Sequence, residues 1–457
     1  MQISFQGRAV GWLATGLIGV CLASSVGAAP AFRHWEIASP DPDRIFLCFS
    51  GDPTARRAVS WRTSPEVGPG SAVAEIAPAT AGPSFDAGLK EVAAETVALD
   101  LNTSSYNKQG VVHYHSAVFK GLRPDTLYAY RVGSQSGVGG GRWSEWIQFR
   151  TAKRERAPFE FVYFGDAQND VLSRWSRVIR MAYATAPEAA FALHCGDLVN
   201  RAHSDNEWAQ WFKSGGWAHS SWTGVPALGN HEYSLLHPSN SRPKGVTPQR
   251  AVSLQWRAQF ALPEVAGLSE ELQETVYHFD YQGARVVVLN SNFGVEEQVA
   301  YLDRVLAAST ANWNIVAFHH SVFAPAKNRD ATPLRNALKP ILDKHSVDLV
   351  LQGHDHVYSR GHTPVRQLED ERQEAFQTMY VTSVSGPKMY SIPEGKLEGY
   401  RKHGFRPGTS AVQKQFFQVI RVDGGALTYR AYTADGKLFD SATIRKDFET
   451  GAKVLEP

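Results

Sequence analysis

Cysteine is scarce: the 457 residues contain 3, too few for a disulfide framework. Net charge is scarce as well. Lys+Arg 47 against Asp+Glu 45 leaves +2, which argues against partners selected by bulk charge and gives no reason to expect a nucleic acid as specific partner. After the first 22 residues no charge-free run is long enough to span a bilayer, and no internal repeat is visible. What is present is ordinary for globular domains: 43% hydrophobic and 20% charged residues, 38 Gly and 24 Pro. That composition is unlike disordered, collagenous or coiled-coil chains. At roughly 150 residues per domain the length suits two or three.

The N-terminus has the order charged, apolar, small. Arg8 precedes the uncharged run Ala9-Val-Gly-Trp-Leu-Ala-Thr-Gly-Leu-Ile-Gly-Val-Cys-Leu22, and Val26-Gly27-Ala28 follows as a cleavage site. This is the pattern of a secretory signal peptide over residues 1–28. A retained anchor fits less well because Gly and Thr interrupt the run, and a lipoprotein signal needs a small residue where Val20 precedes Cys21. The expected protein is periplasmic or secreted, without membrane contact after cleavage, and keeps Cys48 and Cys195 as buried thiols.

Residues 29–152 read as all-β. Arg44-Ile-Phe-Leu-Cys-Phe49, Ala58-Val-Ser-Trp-Arg62 and Val111-Val-His-Tyr-His-Ser-Ala-Val-Phe119 are β-branched and aromatic runs between turn-forming clusters. In Leu127-Tyr-Ala-Tyr-Arg-Val132 large apolar residues alternate, as one buried face requires. A sandwich is predicted. The polar stretch 151–158 ends in Pro158 and marks the boundary. Residues 157–446 then alternate strands with helices, predicting an α/β domain with a largely parallel sheet. Strands are expected at 159–164, 189–194, 285–289, 314–318, 347–351 and 378–382. Helices are expected from Val171 to Ala182 and near 297–308 and 334–345. Residues 234–275 read as inserted loops, and 416–422 and 427–432 as late antiparallel strands.

What stands after the strands carries the chemistry. Gly165-Asp166, Gly196-Asp197, Gly229-Asn230-His231-Glu232, His319-His320 and Gly353-His354-Asp355-His356 each follow an apolar run. In open α/β sheets the carboxyl ends of strands line the ligand crevice. Asp, Asn and His without a cysteine motif suit Fe, Mn or Zn better than a thiolate-bound structural zinc. Six such side chains exceed one tetrahedral shell, so two ions sharing a carboxylate is the economical reading. Any one motif alone is weak: Gly-Asp is usually a turn, and single histidines are usually structural. Their conjunction is specific.

This series resembles the calcineurin-like metallophosphoesterases. Val112-His-Tyr-His115, Gly121-Leu-Arg-Pro-Asp-Thr-Leu-Tyr-Ala-Tyr-Arg-Val-Gly133 and Ala58-Val-Ser-Trp-Arg-Thr63 resemble the fibronectin-type-III-like N-terminal domain of purple acid phosphatases. The resemblance implies an α/β/β/α sandwich behind an all-β sandwich, with Asp166 and His356 on a first metal, Asp197 bridging, and Asn230, His319 and His354 on a second. His231 would contact the phosphate and assist the leaving group, and His320 would lie near substrate. The implied reaction is hydrolysis of a small phosphate monoester by a hydroxide held between the ions.

Two positions depart from the family pattern. Asn200 stands where the purple enzymes have Tyr, so no purple colour is expected, and Gln168 stands where related enzymes have His; either is a candidate neutral ligand. The usual substrate histidines are absent from Phe323-Ala-Pro-Ala-Lys-Asn-Arg-Asp330, leaving Lys327 and Arg329 as phosphate contacts. The alternatives are a phosphodiesterase on the same centre, a non-catalytic metal or phosphate binder, and a glycan-binding role for the β domain.

Overall fold

The structure, a computed structural model, describes residues 35–135, 141–364 and 376–456. The expected signal peptide lies outside them. No helix among the described residues is long and apolar enough to cross a membrane.

Alternation of apolar and polar residues builds the N-terminal part from two antiparallel sheets. One contains Asp43–Cys48, Arg56–Thr63, Val111–Lys120 and Glu95–Asp100. The other contains Lys90–Ala93, Ala72–Pro78 and Leu127–Ser134, the last flanked by Arg142–Trp143 and Ile147–Arg150. Leu47, Val59 and Trp61 from the first pack against Ile76, Tyr130 and Phe149 from the second.

The strand Asp43–Cys48 also pairs in parallel with Thr223–Pro226. The first sheet of the β part therefore runs without a break into the α/β part, giving eleven strands in one sheet. Gly224 permits this, because a Cβ there would overlap the buried ring of Phe46. The 151–158 segment separates the two parts in sequence but not in hydrogen bonding.

In the α/β part, Phe159–Phe164, Phe191–His194 and Thr223–Pro226 are parallel. Phe416–Asp423 adds antiparallel to the first of them and Ala426–Thr433 follows. A seven-stranded second sheet holds Ala284–Val288, Trp313–Ala317, Leu349–Gln352 and Phe376–Thr382 in parallel, with antiparallel strands outside. The sheets are thus more mixed than strand–helix alternation predicts, since the late strands return by tight turns such as Asp423-Gly-Gly425 rather than through helices.

Side-chain alternation assigns the faces of the second sheet. Val286, Val288, Ile315 and Leu351 join the core shared with the first sheet. Val287, Val316 and Val350 pack instead with Leu302 and Val305 of helix Val295–Ala307 and Leu338 and Leu342 of helix Thr332–Lys344. The expected helix from Val171 begins as a π turn, Val171–Trp175, after a left-handed Asp170, and continues as Ser176–Thr185. Val171, Trp175, Val178, Ile179 and Ala182 are its buried face.

Candidate metal centre

Five strands of the two sheets end at one place. Asp166 follows Phe159–Phe164, Asp197 follows Phe191–His194, and Asn230 and His231 follow Thr223–Pro226. His319 follows Trp313–Ala317, and His354 and His356 follow Leu349–Gln352. Ligand atoms of Asp197, His319 and His354 lie within 4.8 Å of one another, as do those of Asp166, Asp197 and His356. Asp197 belongs to both sets. Asn230 joins the first, its Oδ1 3.0 Å from His319 Nε2.

The main chain around these residues is tightly constrained. Asp197 and His354 both sit at positive φ, 51° and 69°, a costly conformation for non-glycine residues that clusters at functional sites. A Cβ on Gly229 would overlap Asp197 N and Oδ1, and one on Gly353 would overlap Asp166 Oδ1. Glycine is required there by close approach to the carboxylates.

The residues fit a pair of cations. Asp166 and Asp197 are buried, and among the described residues their ion-pair partners are histidines only. Uncompensated carboxylates at such burial cost several kcal/mol each. Asp166 Oδ2 has no hydrogen-bond donor, although His356 Nε2 lies 3.1 Å away. Two of the three ligand histidines are oriented from behind: His319 Nδ1 donates to Cys195 O at 2.8 Å and His356 Nδ1 to Lys388 O at 3.0 Å. This leaves Nε2 of each turned to the carboxylates, the usual arrangement of metal-binding histidines. His354 Nδ1 and His319 Nε2 face each other at 3.1 Å. Burial works against charging His319, but the nearby charges of Asp197 and Asp166 raise its pKa to about 9. A proton there supplies the positive charge that a cation would replace.

Gln168 is at the site. Its Nε2 lies 2.6 Å from Asp197 Oδ2 and 3.3 Å from His356 Nε2, while its buried Oε1 has no partner. A half-turn of the carboxamide brings a neutral oxygen to that place. Asn200 acts through its main chain: its carbonyl accepts from His231 Nδ1 at 2.6 Å, and its N–H donates to Glu207 at 2.8 Å. No hydrogen bond of its side chain is present among the described residues.

His231 is partly exposed beside the carboxylates, its Nε2 3.9 Å from Asp197 Oδ2. Its own N–H donates to Asp197 Oδ1 at 2.8 Å. His320 bonds Ser291 Oγ through Nδ1 at 2.8 Å and borders, with His354 and Arg329, a pocket of about 420 Å³. Burial and the neighbouring His319 push its pKa down to about 3, so it is a neutral imidazole. Arg329 contacts His354 Nε2 and reaches Asp355 at 3.3 Å and the Tyr390 hydroxyl at 3.3 Å. Lys327 is exposed and makes no such contact among the described residues.

Sequence reasoning gave no role to two of these neighbours. Glu232 is fully buried and accepts from the N–H groups of Asp197, Val199 and Gly229. Burial first, then the charge of Asp197, raises its pKa to about 8. Its place in the Asn-His-Glu motif was the available signal. Tyr390, whose ring lies 4.7 Å from that of His356, had none.

Comparison with known proteins agrees with this geometry. Residues 42–151 match the family described as purple acid phosphatase, N-terminal domain, and residues 159–358 the calcineurin-like phosphoesterases. The chain is a calcineurin-like metallophosphoesterase of the purple-acid-phosphatase type. An uncharacterized protein of Mycobacterium tuberculosis is 27% identical over 77% of this chain and 68% of its own. A protein of Arabidopsis thaliana named probable inactive purple acid phosphatase 1 is 24% identical over 74% of this chain and 58% of its own. Purple acid phosphatase PPD1 from yellow lupin seeds shares the fold, with a TM-score of 0.70 at 18% identity over 90% of this chain and 75% of that one. A dinuclear metal centre is what the family implies, and the two overlapping ligand sets are where this metallophosphoesterase would hold it.

Proposed function

We propose that the protein is an exported, metal-dependent phosphomonoesterase acting on small phosphorylated molecules. The observation that carries this reading is the sharing of Asp197 between two ligand sets, with His231 held open to solvent beside it. Asp166, His356 and Gln168 would hold one ion, Asn230, His319 and His354 the other, and Asp197 both; Fe, Mn and Zn all suit this donor set. Once bound, such a pair polarises phosphoryl oxygens and lowers the pKa of water at the site.

The chain's own residues supply the rest. His231, tethered at Nδ1 to the Asn200 carbonyl, presents Nε2 to a phosphoryl or leaving-group oxygen and passes it a proton. Arg329, aimed by Asp355 and Tyr390, offers the guanidinium that binds a phosphate oxygen in place of the missing substrate histidines. His320, neutral and bonded to Ser291, borders the pocket for the alcohol. With Asn rather than Tyr at position 200 and Tyr390's hydroxyl engaged by Arg329, an iron-loaded protein should lack the tyrosinate charge-transfer colour.

The test compares metal-loaded protein on p-nitrophenyl phosphate and on its bis-ester. Faster turnover of the monoester is expected. Preference for the diester would instead support a phosphodiesterase, and no hydrolysis of either would support the non-catalytic reading that the name of the Arabidopsis relative brings to mind.

A further inference from the structure

The contacts of one β-domain loop lead to the catalytic-site histidine. Asn107 Nδ2 donates to His203 O at 2.8 Å, and Asn107 Oδ1 accepts from Asp205 N at 2.9 Å. One carboxamide thus grips the C-terminal end of the segment that runs from Asp197 to helix Asp205–Gly215. On the other side of His231, Ser104 Oγ donates to Leu236 O at 2.5 Å and Ser105 N to His237 Nδ1 at 3.2 Å. Tyr106 lies under the Arg201 guanidinium, 5.9 Å from ring centre to carbon.

The gripped segment meets His231 through the Asn200 carbonyl. Glu207 accepts from the N–H groups of Asn200 and Arg201, both at 2.8 Å, which fixes the direction of the Asn200 carbonyl that receives His231 Nδ1–H. Behind the turn, Arg44 binds both carboxylate oxygens of Asp205 at 2.8 Å, and Arg62 reaches one of them at 3.1 Å. All three side chains are buried. The turn is held on one side by its own helix and on the other by the β domain.

We infer that the 101–107 loop of the β domain is a positioning element for His231, with Asn107 its central positioning residue. The β domain is then part of the active-site frame. The inference rests on the proposed role of His231. A tethered imidazole loses rate steeply when its aim shifts, because misplacement by an ångström costs up to ~10²-fold.

The experiment compares Asn107→Ala with the unmutated, metal-loaded protein on phenyl phosphate and 2,4-dinitrophenyl phosphate. The second ester has a leaving group that needs little protonation. Expected are unchanged metal content, a fall in kcat of about 10-fold on phenyl phosphate, a smaller fall on the dinitro ester, and no further fall when Asn107→Ala is added to His231→Ala. Equal falls on both esters, or losses that multiply in the double variant, overturn the inference. Should Asn107→Ala not fold, Ser104→Ala removes the bond to Leu236 and the 3.4 Å bond that Ser104 Oγ accepts from Tyr106 N within the same loop; it should shift the ratio in the same direction, and an unchanged ratio overturns the inference. If the unmutated protein cleaves neither ester, the phosphomonoesterase reading fails instead. Proton NMR of His231 Nδ1–H then decides the positioning claim: a protected signal lost in Asn107→Ala supports it, and no protected signal in the unmutated protein overturns it.

Discussion

Asp197 is the residue on which both ligand sets depend. Asp197→Asn removes the anion that two cations would share, so the variant should bind less metal and lose turnover; metal content and kcat measured together check this. His231→Ala takes away no atom of either set. It should keep the metals and lower kcat by about 10²–10⁴-fold, and metal loss in this variant would show that His231 is a ligand. Gln168→Ala should lower occupancy on the Asp166–His356 side alone, bringing content toward one ion per chain. At this scale much was legible: Asp166, Asp197, Asn230, His319, His354 and His356 were found because each follows an apolar run, and the structure brings them together. Neither the choice between Gln168 and Asn200 nor the place of Tyr390 was readable, because both depend on side-chain direction across segments far apart in sequence.

The strands and helices also bury histidines that the reaction does not use. His194 on strand Phe191–His194 is stacked on Phe164 with both ring nitrogens unpartnered, and burial pushes its pKa down to about 3. His115 on Val111–Lys120 falls to about 4 for the same reason, and His219 also falls well below its ordinary value. The unfolded chain takes up protons at these sites near pH 6.5 while the folded chain refuses them. Stability is therefore fully present above about pH 6.5 and is lost as pH falls toward 4. At 1.36 kcal/mol per unit, His194 alone contributes a loss of a few kcal/mol across its range. Thermal unfolding followed from pH 7.5 to 4.5 should show Tm dropping, with a shallower drop in His194→Phe; a flat profile would contradict this. Many of the elements were legible from their periodicity, but helix Asp205–Gly215 and strands such as Ala72–Pro78 and Leu438–Lys446 were not among those expected. The second partner of Asp43–Cys48 was not, because nothing local to residues 43–48 encodes pairing with 223–226.

At the scale of the whole molecule, that pairing makes one eleven-stranded sheet of what the sequence presents as two domains. The cluster of buried Arg44, Arg62 and Asp205, with Asp43 half-buried at its edge, closes the same seam. Asp205→Ala leaves two arginines buried without their shared partner and should cost about 3–5 kcal/mol. The unmutated protein should unfold in one transition rather than two, which calorimetry reads directly. The account as a whole turns on cations held between the two sheets, and metal stoichiometry tests it most directly. Protein stripped by chelator and titrated with Zn or Mn should bind about two ions per chain at saturation, as expected of paired sites sharing one carboxylate, and Asp197→Asn should reduce that number. Saturation at one ion or none, or full binding by Asp197→Asn, would contradict it.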